Sequence, residues 1–388
     1  MRNIRHLRVF LAAVRSGSVS KSAEASLVSQ PAVTQALAKL EGGYGGPLLM
    51  RTRAGIETNV RGAVLANRVA RALAILDDGL MQVSSRLVVT ATTAQLRALV
   101  AVRDAENISR AARTLGLAQP TVQRAIAQLE QEAARPLFER TPHGLVPTRP
   151  CQRLAQAVRL AFAELDQADA ELAELEGKTA GRIVVGALPL SRSVILPKAL
   201  TAFRTQRPTQ AVIILDGTYE EMLGALRRGD IDMMVGALRD PLPVSDIVQE
   251  HLFDDRLAII AGRHHPLAGK QKIPVSALAG PGWLVPRKGT PTRAQFDSLF
   301  EGHPYPQCII ETGSILLMRE MLRNGEGLGC ISSAQAAAEI TNGMLASLDI
   351  DFEWPTRPIG ISYRAGWMPT AAQSVLLDFI REAAASRG

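Results

Sequence analysis

Cysteine is scarce in this chain: Cys151, Cys308 and Cys330 are the only three in 388 residues. So few, odd in number and widely spaced, they support neither a disulfide framework nor a zinc site. Long apolar runs are lacking too, and nothing approaches the ~20 residues needed to cross a bilayer. Met1-Arg2-Asn3-Ile4-Arg5 leads straight into patterned sequence without a signal peptide, which points to the cytoplasm and to no membrane partner. Catalytic groupings are also wanting. His264-His265 has no cysteine or carboxylate at ligand spacing and reads as a surface turn before Pro266. Asp254-Asp255 and Lys288 make no nucleophile–base arrangement, and Ser191 lacks the nucleophile-elbow pattern of hydrolases. The expectation is a protein with no catalytic residues, no cofactor and no metal.

What the chain does have is an ordinary globular composition, 47% hydrophobic and 21% charged, over a length suited to two to four domains. The net charge of +7 is unevenly spread. Residues 1–153 hold roughly 21 Lys and Arg against about 10 Asp and Glu, or about +11, and the remainder comes to about −4. A basic first third ahead of a mildly acidic remainder suits a nucleic-acid-binding end joined to a separate domain.

That basic third says one thing twice. His6–Leu65 aligns with Gln95–Leu154 at one constant offset without a gap, and roughly 18 of about 60 positions are identical. Gln30-Pro31 pairs with Gln119-Pro120, Leu40-Glu41 with Leu129-Glu130, Pro47-Leu48 with Pro136-Leu137, and Arg51-Thr52 with Arg140-Thr141. One small module has been duplicated.

Each copy reads as three short helices and a wing. In the second, Leu96, Leu99, Val100 and Val102 make an apolar stripe at helical spacing. Asn107 or Ser109 is placed to cap the next helix, Gly116 supplies a tight turn, and Pro120 sits in the first turn of the third. Val122, Ile126 and Leu129 face inward from that third helix, leaving Gln119, Thr121, Gln123, Arg124 and Gln128 outward. Gln pairs with adenine edges, Arg with guanine, and Thr with a thymine methyl or a phosphate. Arg140 falls where a wing touches the phosphate backbone. The corresponding set in the first copy is Ser29, Gln30, Pro31, Thr34, Gln35, Lys39 and Arg51. The first copy has Ser26 where the second has Leu115, and Gly42-Gly43-Tyr44-Gly45-Gly46 should stop or loosen its third helix early. The second copy is therefore expected to be the sturdier DNA reader.

Ser29-Gln30-Pro31-Ala32-Val33-Thr34 and Pro136-Leu137-Phe138-Glu139-Arg140 resemble the helix-turn-helix signature of LysR-type transcriptional regulators. The resemblance implies that the third helix of a copy enters the major groove of promoter DNA. Two modules depart from the usual single one.

Between the copies, Leu65, Val69, Ala72, Leu76, Gly79 and Val83 step by about four and three along a helix. Leu87–Thr90 reads as an extended joint. After the second copy, Leu154, Val158, Ala161, Leu165, Ala168, Leu172 and Leu175 repeat the same steps up to Gly177. So narrow a seam requires a partner helix, and we read Leu154, Val158, Leu165, Leu172 and Leu175 as a dimerisation surface. A linker helix stands in this place in LysR-type regulators, and the resemblance implies dimers paired into tetramers.

From Arg182 strands and helices alternate: strands at 182–188, 210–215 and 231–238, with helices at 197–204 and 220–227 between them. A second α/β unit follows Leu257–Ala261, and Ile359–Tyr363 returns to the first before a closing helix, Ala371–Ala385. This half resembles the effector-binding domain of LysR-type regulators, itself similar to periplasmic solute-binding proteins, and within the family it is most similar to regulators of sugar-binding proteins and of protocatechuate catabolism. Gly186–Leu190, Leu226–Asp232, His265–Ala268 and Asn324–Gly329 carry the match.

Ligands of open α/β sheets bind beyond the carboxyl ends of the strands. That selects Leu190, Ser191, Arg192, Ser193, Thr218 and Arg239 in the first lobe, and Pro286, Arg287, Thr290, Gly313 and Ser314 in the second. Hydroxyls, helix starts and an arginine suit an anionic or polar small molecule.

The expected multidomain architecture is two tandem winged helix-turn-helix modules at 1–62 and 91–150 with a helix and joint at 63–90 between them. A coiled-coil linker helix at 151–178 and a two-lobed α/β effector domain at 179–388 complete it. The expected function is sequence-specific transcriptional regulation controlled by a small-molecule effector, with RNA polymerase a further candidate partner. The alternative is an effector-binding or scaffolding protein whose modules no longer read DNA.

Overall fold

The structure, a computed structural model, describes residues 3–53, 55–142 and 144–386. It divides into two compact units, Met1–Arg182 and Ile183–Gly388.

The first unit repeats one element order. Helices α1 (Ile4–Ser16), α2 (Val19–Ala25) and α3 (Gln30–Gly43) precede a hairpin of β1 (Leu49–Thr52) and β2 (Gly55–Thr58) and the long α4 (Val60–Met81). After α5 (Ser85–Thr90) the order recurs: α6 (Thr93–Ala105), α7 (Ile108–Leu115), α8 (Gln119–Ala133), β3 (Phe138–Thr141), β4 (Gly144–Pro147) and the long α9 (Arg149–Leu175). The duplicated unit thus includes the long helix. Caps set these boundaries: Asn3, Ser18, Ser29 and Asn107 accept first-turn N–H groups, and Thr92 forms a capping box with Gln95. The expected extended joint at Leu87–Thr90 is instead the helix α5, because Leu87 is fully buried in the shared core and helical backbone satisfies its polar groups. The glycine run shortens α3 by only one residue against α8, 14 residues to 15.

The turn after the second helix is left-handed in both copies. Gly116 takes φ 65° at no steric cost, whereas Leu27 holds φ 54° at the equivalent place with its side chain 90% exposed. Nothing in the packing of Leu27 offsets the strain. Leu27→Gly is expected to raise stability by about 1 kcal/mol, read as a shift of the urea midpoint at unchanged slope. No gain would mean that the turn relaxes without cost around the leucine.

The seam on α9 is buried within the chain. Leu154, Val158, Ala161, Leu165, Ala168 and Leu172 are at most 4% exposed, and only Leu175, at 50%, is not. Their partner is α4, which presents Leu65, Val69, Ala72, Leu76 and Gly79. Arg61 meets Glu176, Arg68 meets Glu164 and Glu171, and Gly79 lies against Ala157, so the two helices run antiparallel. This corrects the reading of the seam as a surface left for a second copy: the partner helix that it requires comes from the same chain. One apolar core runs without a break from Ile4 to Leu172 through both modules and both long helices.

The second unit holds two sheets. In the first lobe, β5 (Arg182–Ala187), β6 (Ala211–Asp216), β7 (Met233–Ala237) and β8 (Ile247–Asp255) surround the helices α10 (Pro189–Ser193), α11 (Leu196–Gln206) and α12 (Tyr219–Arg228) in sequence. The chain crosses to the second lobe with β9 (Leu257–Gly262), β10 (Trp283–Val285), α13 (Pro291–Leu299), β11 (Ile309–Glu311), α14 (Ile315–Asn324), β12 (Leu328–Ser332), α15 (Ser333–Thr341) and β13 (Leu345–Ser347). It returns as β14 (Arg357–Arg364) and closes with α16 (Ala371–Ala385). The strand orders are β6-β5-β7-β14-β8 and β11-β10-β12-β9-β13. β5 and β7 are parallel, whereas β14 runs antiparallel to β7 and β8. Each sheet has an apolar cluster on both faces. The two crossings are tied together: Arg357, at the start of β14, donates from Nε (3.0 Å) and Nη2 (2.7 Å) to Oδ2 of Asp255, the last residue of β8. Ser332 donates to the other oxygen of that carboxylate.

Candidate nucleic-acid interface and effector cavity

The third helix of each copy divides cleanly into two faces. On α3, Val33, Ala36, Leu37 and Leu40 are buried while Gln30, Pro31, Thr34, Gln35 and Lys39 are exposed. On α8, Val122, Ile126 and Leu129 are buried while Gln119, Pro120, Thr121, Gln123, Arg124 and Gln128 are exposed. Every base-reading or phosphate-touching residue expected from the sequence therefore reaches solvent. Ser29 caps α3 by accepting from the N–H of Ala32 at 3.4 Å; Ala118 offers α8 no such cap. Gln119 is partly engaged, its Oε1 accepting from Ser109 at 2.9 Å. Arg51 and Arg140 stand exposed at equivalent positions of the two hairpins.

One device was not anticipated, although its residues lay among the repeated identities. Glu41, on α3, accepts the N–H groups of Leu48 and Leu49 at 2.8 and 3.1 Å. Glu130, on α8, does the same with Leu137 and Phe138 at the same two distances. Each glutamate joins its third helix to its wing through two charge-assisted bonds, which fixes the wing arginine relative to the residues that face the groove. A recurring Leu-Glu and Pro-Leu at constant spacing was the available signal.

In the second unit the expected effector residues separate into two groups. Ser191 is fully buried and donates to the carbonyl of Leu188 at 2.8 Å. Ser193 donates to Leu190 and accepts from Gln335, a residue of α15 in the other lobe, at 3.1 Å. Arg192 pairs with Asp216 at 2.7 Å, Thr218 caps α12 in a capping box with Glu221, and Ser314 caps α14. These polar atoms are committed to the fold. Leu190 belongs to the apolar core, and neither Pro286, Arg287 nor Gly313 lines the cavity described next.

Arg239 and Thr290 do line it. The cavity, about 430 Å³, lies between the lobes and is walled by Arg239, Lys288, Gly289, Thr290, Pro291, Arg293, Ala294 and Asp297. It opens on the start of α13, where Thr290 accepts from the N–H of Arg293 at 3.2 Å and Pro291 follows. The two arginines differ in kind. Arg293 is saturated: Nε donates to Asp297 at 2.8 Å, Nη1 to Glu311 and Nη2 to Tyr305. Arg239 lies half-buried with its guanidinium 4.2 Å from the centre of the Tyr219 ring, and no carboxylate among the described residues pairs with it. Burial pulls its pKa below the usual value, against the opposing influence of Tyr219 and Glu220. The cavity thus holds the half-buried, incompletely neutralised cation of Arg239 at a helix N-terminus, with the exposed Lys288 on the same wall, which suits an anion.

His265 is not the surface residue expected from its turn. It is 8% exposed, with Nε2 3.1 Å from the carbonyl of Glu326 and Nδ1 accepting from Leu267, because the turn is folded onto the second lobe. Burial pushes the thiols of Cys151 and Cys330 up to about 12, which keeps them protonated and unreactive at neutral pH. No group of three or more metal-ligating side chains gathers among the described residues, and no described helix is long and apolar enough to cross a membrane.

Winged helix-turn-helix modules ahead of a two-lobed α/β unit define a helix-turn-helix transcription regulator with a separate effector-binding domain. The chain belongs to the LysR family of such regulators. Residues 176–385 match the LysR substrate binding domain, and residues 4–63 and 93–152 each match the bacterial regulatory helix-turn-helix protein of the lysR family. The HTH-type transcriptional regulator GalR of Pseudomonas putida is 32% identical over 387 residues, 98% of this chain and 97% of the relative. PcaQ of Agrobacterium fabrum is 29% identical over 292 residues, which span 74% of this chain and 94% of PcaQ. Among solved structures, ArgP from Mycobacterium tuberculosis superposes with a TM-score of 0.57 at 18% identity, over 75% of this chain and 97% of that one. Full-length OxyR from Pseudomonas aeruginosa gives 0.54 at 23%, over 74% and 94%. These two likenesses concern the fold alone.

Proposed function

We propose that this regulator grips promoter DNA through α3 and α8, with Gln30, Thr34, Gln35 and Lys39 on one helix and Gln119, Thr121, Gln123, Arg124 and Gln128 on the other facing base edges. Arg51 and Arg140 hold the phosphate backbone. The effector is a small carboxylate or similar anion, bound by Arg239 against the start of α13. The observation that carries the DNA reading is the division of both third helices into a buried apolar face and an exposed polar one, each joined to its wing by a glutamate. Effector binding across the cavity draws the lobes together, and Thr292 of α13 reaches the hinge directly, accepting from Arg357. A ligand at the start of α13 therefore acts on the residue that ties the two crossings.

A footprint on DNA upstream of the protein's own gene and of its neighbour, at two salt concentrations, tests the DNA reading. The expected result is a bounded protected site that weakens steeply with salt, and more weakly so in an Arg51→Ala, Arg140→Ala double variant, which makes fewer phosphate contacts. Absence of protection at low salt would favour a scaffolding role instead.

A further inference from the structure

The antiparallel pair of α4 and α9 gives the first unit an internal two-fold relation between its modules. Equivalent residues even meet: the N–H of Ile4, which opens α1, donates to Oγ1 of Thr93, which opens α6, at 3.2 Å. Yet the pairing is not symmetric. Arg68 of α4 is fully buried and donates to Glu164 (2.9 Å), Gln167 (2.7 Å) and Glu171 (3.0 Å) of α9. The residues that correspond to these in the other copy are Ala157 for Arg68, and Ile75, Asp78 and Gln82 for the three acceptors. At that mirrored end Ala157 packs against Gly79 so closely that a Cβ on Gly79 would lie 2.4 Å from the alanine Cβ. One end is thus charged and the other close-packed. Pairing α9 with α9 of a second chain would bury Glu164 and Glu171 against an alanine with no arginine, which is strongly unfavourable. The helix pair selects α4 with α9.

The groove-facing residues are unlike as well. Both copies carry the same wing arginine, Arg51 and Arg140, and the same Gln-Pro start. Beyond it, Ala32 faces Thr121 in the alignment, Thr34 faces Gln123, Gln35 faces Arg124 and Lys39 faces Gln128. The phosphate grip is shared and the base readers are not, with glutamine suited to adenine where the other copy has arginine suited to guanine.

We infer that a single chain supplies both readers of one bipartite DNA site, and that the two half-sites differ in sequence, one read by α3 and the other by α8. A pair of identical modules would demand an inverted repeat; this pair demands a site without that symmetry, bound in one orientation. The inference rests on the DNA-binding reading above.

The test selects binding sites for the full-length protein from random duplexes and then measures affinity by anisotropy. The duplexes are the selected site and the two inverted repeats built from either half alone, and the proteins are wild type, Gln35→Ala and Arg124→Ala. Both substitutions fall on exposed side chains and leave the core intact. The expected outcome is a site with unlike halves, bound more tightly than either inverted repeat. Arg124→Ala should then lose roughly ten-fold or more with relaxed base preference in one half only, and Gln35→Ala should do so in the other half only. A selected inverted repeat, Arg124→Ala relaxing both halves equally, or Gln35→Ala changing neither would each overturn the inference while leaving DNA binding standing. Failure to enrich any sequence would remove the DNA-binding reading itself and this inference with it.

Discussion

Arg68→Ala is expected to destabilise the first unit by about 3–5 kcal/mol, the range for removing one partner of a buried ion pair. The wild-type guanidinium is wholly out of water and is bound by two carboxylates and an amide. Glu164 keeps a second cation, since Arg71 donates to it from Nε and Nη2 at 3.1 Å. Glu171 has no second cation among the described residues, and its side chain is 22% exposed. Alanine would leave that carboxylate facing an apolar seam and a void where five donors had been. The network itself is not a large net source of stability, because desolvating its charges costs about as much as their attraction returns. Arg68→Met combined with Glu164→Gln and Glu171→Gln should therefore recover most of the loss. Urea unfolding followed by far-ultraviolet dichroism reads both results. A loss below 1 kcal/mol for Arg68→Ala would mean that water reaches the acceptors once the arginine is gone. The triple variant has a second use: neutralising the charged end removes the electrostatic part of the preference for α4 over a second α9 and leaves the close packing of Gly79 against Ala157 to hold it, so chain-exchanged dimers become more accessible at high protein concentration.

Why the pairing was not legible beforehand follows from what a heptad pattern contains. Steps of four and three along Leu154–Leu175 state that a helix needs a partner, and they say nothing about which chain provides it. The same steps along Leu65–Val83 were present, and only folding shows the two seams satisfying each other. Arg68 stands beside the seam residue Val69 with no sequence signal of its own burial; burying it takes three acceptors from a helix about a hundred residues away in sequence. The modules were far easier. Their helices obey local rules of period, cap and turn, and the duplication presented each rule twice. In the second unit the apolar strands β5, β7 and β9 announced themselves, whereas β8 did not, because its Gln249, Glu250, His251 and Asp254 make an edge strand with a polar face. The candidate effector site was half legible. Strand ends selected Arg239 and Thr290, which wall the cavity, and also selected Ser191, Ser193 and Thr218, whose hydroxyls are turned back onto backbone. Sequence position cannot separate a serine that caps a helix from one that meets a ligand, since both tasks use the same oxygen.

Arg239→Ala is expected to raise the dissociation constant of an anionic effector by about thirty-fold or more, the consequence of removing one partner of a desolvated charge pair. The substitution should be nearly silent for the fold. Arg239 contributes a cation–π contact to Tyr219, worth about 0.5–1 kcal/mol at a partly exposed site, and no ion pair among the described residues. The neighbouring Arg293 would not serve as a substitute target, because its guanidinium is bound by Asp297, Glu311 and Tyr305 and its loss would disturb α13. A thermal-shift panel of mono- and dicarboxylates on the full-length protein gives the measurement, since a ligand that binds only the folded state raises the melting temperature by an amount set by its concentration over its dissociation constant. A carboxylate that stabilises wild type should stabilise Arg239→Ala only at about thirty times the concentration. Arg239→Lys should fall between the two, since a lysine keeps the charge and forfeits the planar fork that grips a carboxylate with two parallel bonds. Equal stabilisation of wild type and Arg239→Ala by the same carboxylate would move the effector away from the start of α13. The site would then lie at the strand ends of the first lobe, where Ser193 and Gln335 already join the lobes and a ligand would have to displace that bond to enter.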